Sequence, residues 1–226
     1  MHLLIPAAGV GKRMGADGNK LLLPLLNDAI IAWTLKAAVA ASTVEWIGII
    51  SQVIDEPIFK EIVAKLATAK PIVFIRGGDT RQASVYNGLE ALPIDARQVL
   101  IHDGARCLAT PKLFDRCSAA FETCHGFIAA VPVKDTIKKV NASGIIEATP
   151  DRSHLWAAQT PQGFDVALLK KAHKEGSSQG WAVTDDAALF EKCGLSVHIV
   201  EGEETNLKVT TPGDLAIAEF ILRQRL

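Results

Sequence analysis

The chain has 226 residues, 49% of them hydrophobic and 22% charged, with 24 Lys plus Arg against 25 Asp plus Glu and a net charge of −1. This is the composition of a globule able to close one sizeable core, and it excludes the broad basic field of a nucleic-acid or membrane-surface binder. No apolar run approaches the ~20 residues of a membrane span, so any anionic partner must be held by a local cluster of cations.

His2 to Pro6 is short, apolar and followed by a glycine-rich segment, which predicts a buried strand. Asp28 to Ser42 is rich in alanine and predicts a helix with Asp28 as cap. Trp46 to Ser51 predicts a strand, and Asp55-Glu56-Pro57 a helix start, with the helix running to about Ala69. Pro71 to Ile75 reads as a strand, Thr80 to Leu92 as a helix, Val99 to Asp103 as a strand, Pro111 to Cys124 as a helix and Phe127 to Val133 as a strand. The alternation predicts an α/β fold, a Rossmann-like and mostly parallel sheet with helices on both faces.

Lys134 to Thr160 breaks the rhythm. Asn141-Ala142-Ser143-Gly144 lies between two runs of β character, Thr136 to Val140 and Gly144 to Ala148, and predicts a hairpin arm at about 134–157 that protrudes from one domain spanning 1–226. Beyond it come a helix from about Asp165 to Lys174, another after Thr184, strands near Val197 to Val200 and Leu207 to Val209, and a last helix. Thr211, Pro212 and Asp214 form its start signal.

The candidate chemistry lies at the ends of these elements. Pro6 to Gly15 (PAAGVGKRMG) places Ala7, Ala8, Gly9 and Gly11 directly after the first strand, where small residues let a ligand approach and free N–H groups can cradle phosphate oxygens. The G-x-G-x-x-x-G spacing is longer than a dinucleotide fingerprint, and no Walker GK[ST] follows. Nor does an acidic residue stand where a ribose partner is expected. That disfavours a dinucleotide-dependent oxidoreductase. Lys12, Arg13 and Lys20 instead make the loop cationic.

After the third strand, Gly77-Gly78 makes a sharp turn, and Asp79 or Thr80 can cap the next helix; Gly78, Asp79 and Ser84 can equally read a base or ribose. Asp103 stands at the carboxyl end of a strand, where parallel sheets bind ligands; it can hold a hydroxyl, help organise a metal, or cap its loop beside Arg106. His102 reads as a packed histidine. Thr160, Thr184 and Lys208 sit at element boundaries, Thr184 serving equally as an N-cap, and Asp185-Asp186 fits charge–dipole stabilisation of a helix start as well as a metal pair. Thr136 and Arg152 belong to the arm. There is no G-x-S-x-G elbow and no recognisable Cys/His pairing. Cys107, Cys117, Cys124 and Cys193 lack any CxxC spacing, so neither a zinc site nor a disulfide framework is expected. With no basic leader at the N-terminus, a cytoplasmic location is expected.

Taken in order, PAAGVGKRMG, Lys20, GGDTRQASV, HDGAR, PVKDT, DRSHLW, QTPQGF, TDDAAL and NLKVTTPGDLAIAEF span nearly the whole chain. The set resembles the 2-C-methyl-D-erythritol 4-phosphate cytidylyltransferases of the non-mevalonate isoprenoid pathway. It departs from them at Gly18-Asn19-Lys20-Leu21, where the family more often has P-K-Q and an aromatic, and at Gly104 and Cys107, in place of alanine and proline.

The resemblance implies transfer of CMP from CTP to 2-C-methyl-D-erythritol 4-phosphate, with pyrophosphate released. It implies Mg²⁺ held mainly by the triphosphate, with no protein metal ligand assigned, and a homodimer whose arms hook around the partner. By motif, Arg13, Lys20, Arg152 and Lys208 would be catalytic. Ala7, Ala8, Gly9, Gly11, Gly78, Asp79, Ser84 and Gly104 would meet the nucleotide. Asp103, Thr136, Arg152, Thr160, Thr184 and Lys208 would surround the acceptor. A cytidylyltransferase for another polyol phosphate, such as ribitol 5-phosphate, and a non-catalytic nucleotide sensor are the competing expectations.

Overall fold

Alternation of side chains splits the first strand, β1 (His2–Pro6), between two cores, with Leu3 and Ile5 on one and Leu4 on the other. The computed structural model describes residues 1–9 and 18–226, so the candidates Gly11 and Arg13 lie outside the described residues. Lys20–Leu22 form a 3₁₀ turn, followed by a small hairpin of β2 (Pro24–Leu25) and β3 (Asp28–Ala29) and by α1 (Ile30–Ala40). Next come β4 (Trp46–Ser51), α2 (Glu56–Ala64), β5 (Ile72–Arg76), α3 (Arg81–Glu90), β6 (Gln98–Ile101), α4 (Pro111–Ala119) and β7 (Gly126–Pro132). The arm carries β8 (Lys139–Val140) and β9 (Ile146–Ala148). The chain returns through β10 (Trp156–Asp165), α5 (Val166–Ser178), α6 (Ala187–Lys192), β11 (His198–Glu201) and α7 (Pro212–Arg225).

Seven strands form one sheet in the order β11-β7-β10-β6-β1-β4-β5. All neighbours are parallel except β10, which runs antiparallel to both β6 and β7. Buried residues of α1, α4 and α7, with Phe59 of α2, belong to the core on one face; those of α3, α5 and α6 belong to the core on the other. The α/β expectation therefore holds. The chain winds from β1 outward to β4 and β5, then crosses to β6 on β1's other side. That reversal opens a crevice at the carboxyl ends of β1 and β6, the place where open α/β sheets bind ligands.

Several local expectations need correction. Asp28 does not cap α1: it pairs with Leu25 in the small hairpin and bonds Lys36 at 2.6 Å, while Ala29 takes the cap position without a side-chain bond. α2 stops at Ala64 rather than about Ala69. Thr68 Oγ1 accepts from the Lys70 amide, Lys70 Nζ bonds the Ala41 carbonyl, and Pro71 disfavours helix in the residue before it. α4 ends at Ala119 and tightens into a 3₁₀ turn, Ala120–Glu122.

Leu207 to Val209 forms no strand; Val209 N–H bonds the Ala105 carbonyl at 2.9 Å, outside any ladder. Thr160 lies inside β10, not at a boundary, next to a cis Thr160–Pro161 peptide and a register shift. The start of α7 is as expected, with a complete capping box of Thr211 and Asp214.

The arm follows from its turn. Asn141 Oδ1 accepts from the amides of Ser143 and Ile145, both at 3.0 Å, and Gly144 adopts φ +78°, a left-handed conformation that suits glycine. Its two ends leave the sheet side by side, with Pro132 paired to Trp156 and Val133 N–H bonded to the Leu155 carbonyl.

Candidate active site

Backbone from four loops surrounds a cleft of about 640 Å³ at the crevice beside β1. Ala7, Ala8 and Gly9 follow β1; Gly78 and Asp79 follow β5, with Ser84 from α3; Asp103 and Gly104 follow β6; Lys20 and Lys208 complete the lining. Ten of the residues singled out in the sequence thus converge in one place.

Each loop has its own local cause. Ser84 Oγ accepts from the Gly78 amide at 3.0 Å, folding the Gly77-Gly78 turn back onto α3. A Cβ on Gly77 would stand 2.6 Å from Ala8 Cβ, and one on Gly78 2.7 Å from Ala83 Cβ, so both glycines are required by close approach. Thr80, not Asp79, caps α3 through the Ala83 amide. Asp79 therefore keeps its carboxylate for the cleft it lines. Gly104 contributes backbone only: a Cβ there would point at Ile31 and Leu21 at 2.9 Å.

The cations are held rather than loose. Lys20 Nζ donates to the Val209 carbonyl at 2.7 Å, bringing its ammonium beside the segment that carries Lys208. Lys208 Nζ lies 2.7 Å from Asp103 Oδ2, and Arg106 Nε 3.9 Å from the same oxygen. Burial alone would raise the Asp103 carboxyl, but Lys208, then Arg81 and Arg106, outweigh it and hold it below the ordinary carboxylate range. Asp103 is thus charged at neutral pH and fixes Lys208 at the cleft wall.

Thr160 lines no part of this cleft. Its hydroxyl is buried, accepts from the Asp103 amide at 3.0 Å and meets His102 Nδ1 at 3.0 Å. Thr184 is exposed and stands apart from the cleft lining. Nor does it cap α6: Asp186 takes the cap position without a side-chain cap bond, and Asp185 before it accepts from the Ala188 amide at 3.1 Å. Asp186 is no metal partner of Asp185 but a buried anion paired with Arg81 at 2.8 Å and His173 at 3.1 Å. Thr136 and Arg152 lie exposed on the arm, Arg152 Nη1 donating to the Lys134 carbonyl across its base.

Sequence reasoning missed several supporting residues. Asn19 Nδ2 donates to the Ala7 carbonyl at 2.7 Å and to Asp55 at 2.8 Å, tying the Lys20 turn to the end of β1. Asn206 bonds Gln159 Oε1 and the Thr160 carbonyl, while Arg106 donates to the Asn206 carbonyl, so the Lys208 segment is fastened to β10. Nothing in the local sequence marks these contacts. Arg81 did carry a signal: a cation in the first position of a helix opposes the helix dipole and calls for a buried anion such as Asp186.

Known proteins resemble this chain over nearly its whole length. The family model for 2-C-methyl-D-erythritol 4-phosphate cytidylyltransferase matches residues 1–224. Proteins of that name from Nostoc sp. strain PCC 7120 and Acaryochloris marina are 71% and 66% identical over 225 and 226 residues, covering 100% of this chain and 99% and 95% of theirs. Among solved structures, the 4-diphosphocytidyl-2C-methyl-D-erythritol synthase of Anaerococcus prevotii matches with TM-score 0.88 at 30% identity, covering 98% of this chain and 97% of that one. The 2-C-methyl-D-erythritol 4-phosphate cytidylyltransferase of Thermus thermophilus matches with TM-score 0.76 at 33% identity over 98% of both chains. The chain belongs to the 2-C-methyl-D-erythritol 4-phosphate cytidylyltransferase family.

Proposed function

We propose that the cleft transfers CMP from CTP to 2-C-methyl-D-erythritol 4-phosphate. An oxygen of the acceptor phosphate attacks the α-phosphorus of CTP and forms the new P–O bond. The bond from that phosphorus to the bridging oxygen breaks, and pyrophosphate leaves with the electron pair. The observation that carries this reading is the convergence of Lys20 and Lys208 on a glycine-lined crevice at the sheet's reversal point.

The acceptor phosphate bears ~1.5 to 2 negative charges near neutrality, so it is already a nucleophile and asks for no general base. The obstacle is repulsion between anions, about 4 kcal/mol for unit charges ~4 Å apart at an effective dielectric of ~20. Ammonium groups fixed at the cleft wall offset that repulsion and the charge gathering on the departing pyrophosphate. Arg13, by its motif, is assigned to the same task.

Mg²⁺ belongs to this reading as an ion brought by the triphosphate. Among the described residues no cluster of three His, Cys, Asp or Glu side chains could cage a metal. The Asp103 carboxylate is committed to Lys208, and a site with few protein donors suits an ion that keeps its waters. When bound, Mg²⁺ neutralises phosphate charge and orients the leaving group. The direct test is CTP-dependent release of pyrophosphate with 2-C-methyl-D-erythritol 4-phosphate as acceptor. Release without that acceptor, or none with it, overturns the assignment.

The working unit in this reading is a homodimer in which Thr136 and Arg152 of one arm reach the partner's cleft. The arm supports it by exposing Val140, Ile145 and Ile146, apolar side chains that gain from being covered. Equal mixing of Arg152→Ala and Lys20→Ala chains should restore about a quarter of wild-type activity, because half the dimers would carry one intact site. No recovery would place both residues in sites formed by single chains. A cytoplasmic location is part of the same proposal; no described helix is long and apolar enough to cross a membrane.

A further inference from the structure

His102 is fully buried, and neither the fold nor the reaction above has used it. Its ring spans a tight turn. Nε2 lies 3.3 Å from the Arg106 carbonyl, and Nδ1 lies 3.0 Å from Thr160 Oγ1, which in turn accepts from the Asp103 amide at 3.0 Å. The Arg106 amide closes the same turn on the Asp103 carbonyl at 2.9 Å. Phe114 packs against the ring edge-on, with centroids 4.8 Å apart.

The proton positions follow from the partners. A carbonyl only accepts, so Nε2 carries the hydrogen. Burial pushes the imidazole pKa down to about 4, so the ring is neutral and Nδ1 is bare. Thr160 must then donate its hydroxyl proton to Nδ1 and offer a lone pair to the Asp103 amide. The hydrogen bonds run one way, from Asp103 N–H through Thr160 O–H to His102, and from His102 Nε2–H to the Arg106 carbonyl.

We propose that His102 is a positioning residue for the transfer reaction. As a neutral imidazole in a single tautomer, it fixes both ends of the 103–106 turn, and so sets the Asp103–Lys208 pair at the cleft wall. The proposal rests on the reading of the cleft given above. It also gives Thr160 a role at one remove, since the hydroxyl's proton is committed to the ring.

Two side-chain swaps separate the ring's two contacts. His102→Asn keeps an acceptor near the position of Nδ1, whereas His102→Gln keeps a donor near Nε2 and loses the acceptor. Steady-state pyrophosphate release per folded molecule should fall about tenfold in kcat/KM for the acceptor with His102→Gln, the size expected for one buried hydrogen bond lost. With His102→Asn, which gives up only the longer 3.3 Å contact to the Arg106 carbonyl, the fall should stay within about threefold. Thr160→Val should fall at least as far as His102→Gln, since it also takes the acceptor from the Asp103 amide, and the double variant should be no worse than Thr160→Val alone, because the His102 link is already broken there. A wild-type kcat/KM in folded His102→Gln, or losses that multiply in the double variant, would overturn the proposal.

Nitrogen NMR of the unmodified protein gives an answer that needs neither variant folding nor turnover. The ring should show only the Nε2–H tautomer and no titration between about pH 5.5 and 8. An Nδ1–H signal or a titrating ring in that interval would sink the assignment even in an active enzyme. Absence of turnover with the expected tautomer present would instead count against the reaction.

Discussion

Lys20→Ala should lower turnover by about 10²–10³, the loss seen when one preorganised donor to developing charge is removed, and shift the melting temperature little. The side chain reaches the Val209 carbonyl at the mouth of a cleft rather than in a core. Its 3₁₀ turn is held by Asn19, not by the ammonium, since Asn19 caps the turn through the Leu21 amide and bonds Ala7 and Asp55. Initial rates at saturating CTP and acceptor, set beside thermal melts, check this. Turnover within tenfold of wild type would remove Lys20 from the chemistry.

Asp186→Ala should be the most damaging of these changes to stability, about 3 kcal/mol, at the lower end for breaking a buried ion pair because Arg81 is 29% exposed. Asp186 is itself 1% exposed and answers both Arg81 and the buried His173. Its loss leaves a guanidinium at the start of α3 without its contact anion and a buried histidine without its carboxylate partner. For a chain of this size the melting temperature should fall by roughly 6–12 °C.

The pH dependence has a definite sign. Burial alone would raise the Asp186 carboxyl, but Arg81 and His173 outweigh it and hold it below its ordinary value. Its stabilising contribution is therefore complete above the unfolded carboxyl's pKa of ~3.9 and is lost as the pH falls through the lower folded value. The stability gap between wild type and Asp186→Ala should be constant near neutrality and close below about pH 4. Denaturant melts across that range check it; a gap that widened on acidification would contradict the pairing.

Local signals were readable where local energetics decide. Trp46–Ser51 is an uninterrupted apolar run and forms β4 with those bounds. The Thr211-Pro212-Gly213-Asp214 start of α7 forms because its bonds lie within one turn. The glycine turn at 77–78 pointed to the cleft because only small residues let it pass so close to the loop after β1 and to α3.

What escaped is what distant partners impose. Trp156–Asp165 contains Gln-Thr-Pro-Gln-Gly, with a proline and a glycine that disfavour strands, yet becomes a strand because β6 and β7 offer ladders on both sides. Lys208 sits in the sequence with no adjacent anion to explain it; Asp103, just after β6, supplies its charge partner. His102 read as packing because the two atoms that orient it come from Thr160 and Arg106, which only the folded turn brings to its ring.

The paired ends of the arm have a consequence for how such a molecule can be altered. Because Pro132 and Trp156 already face each other in antiparallel register, the excursion between them is an insertion into a hairpin rather than a span of the core. A two- or three-residue reverse turn has the right reach to join these strands directly. Excising the intervening segment therefore asks nothing of the seven-stranded frame, and whatever the arm touches can be edited apart from folding.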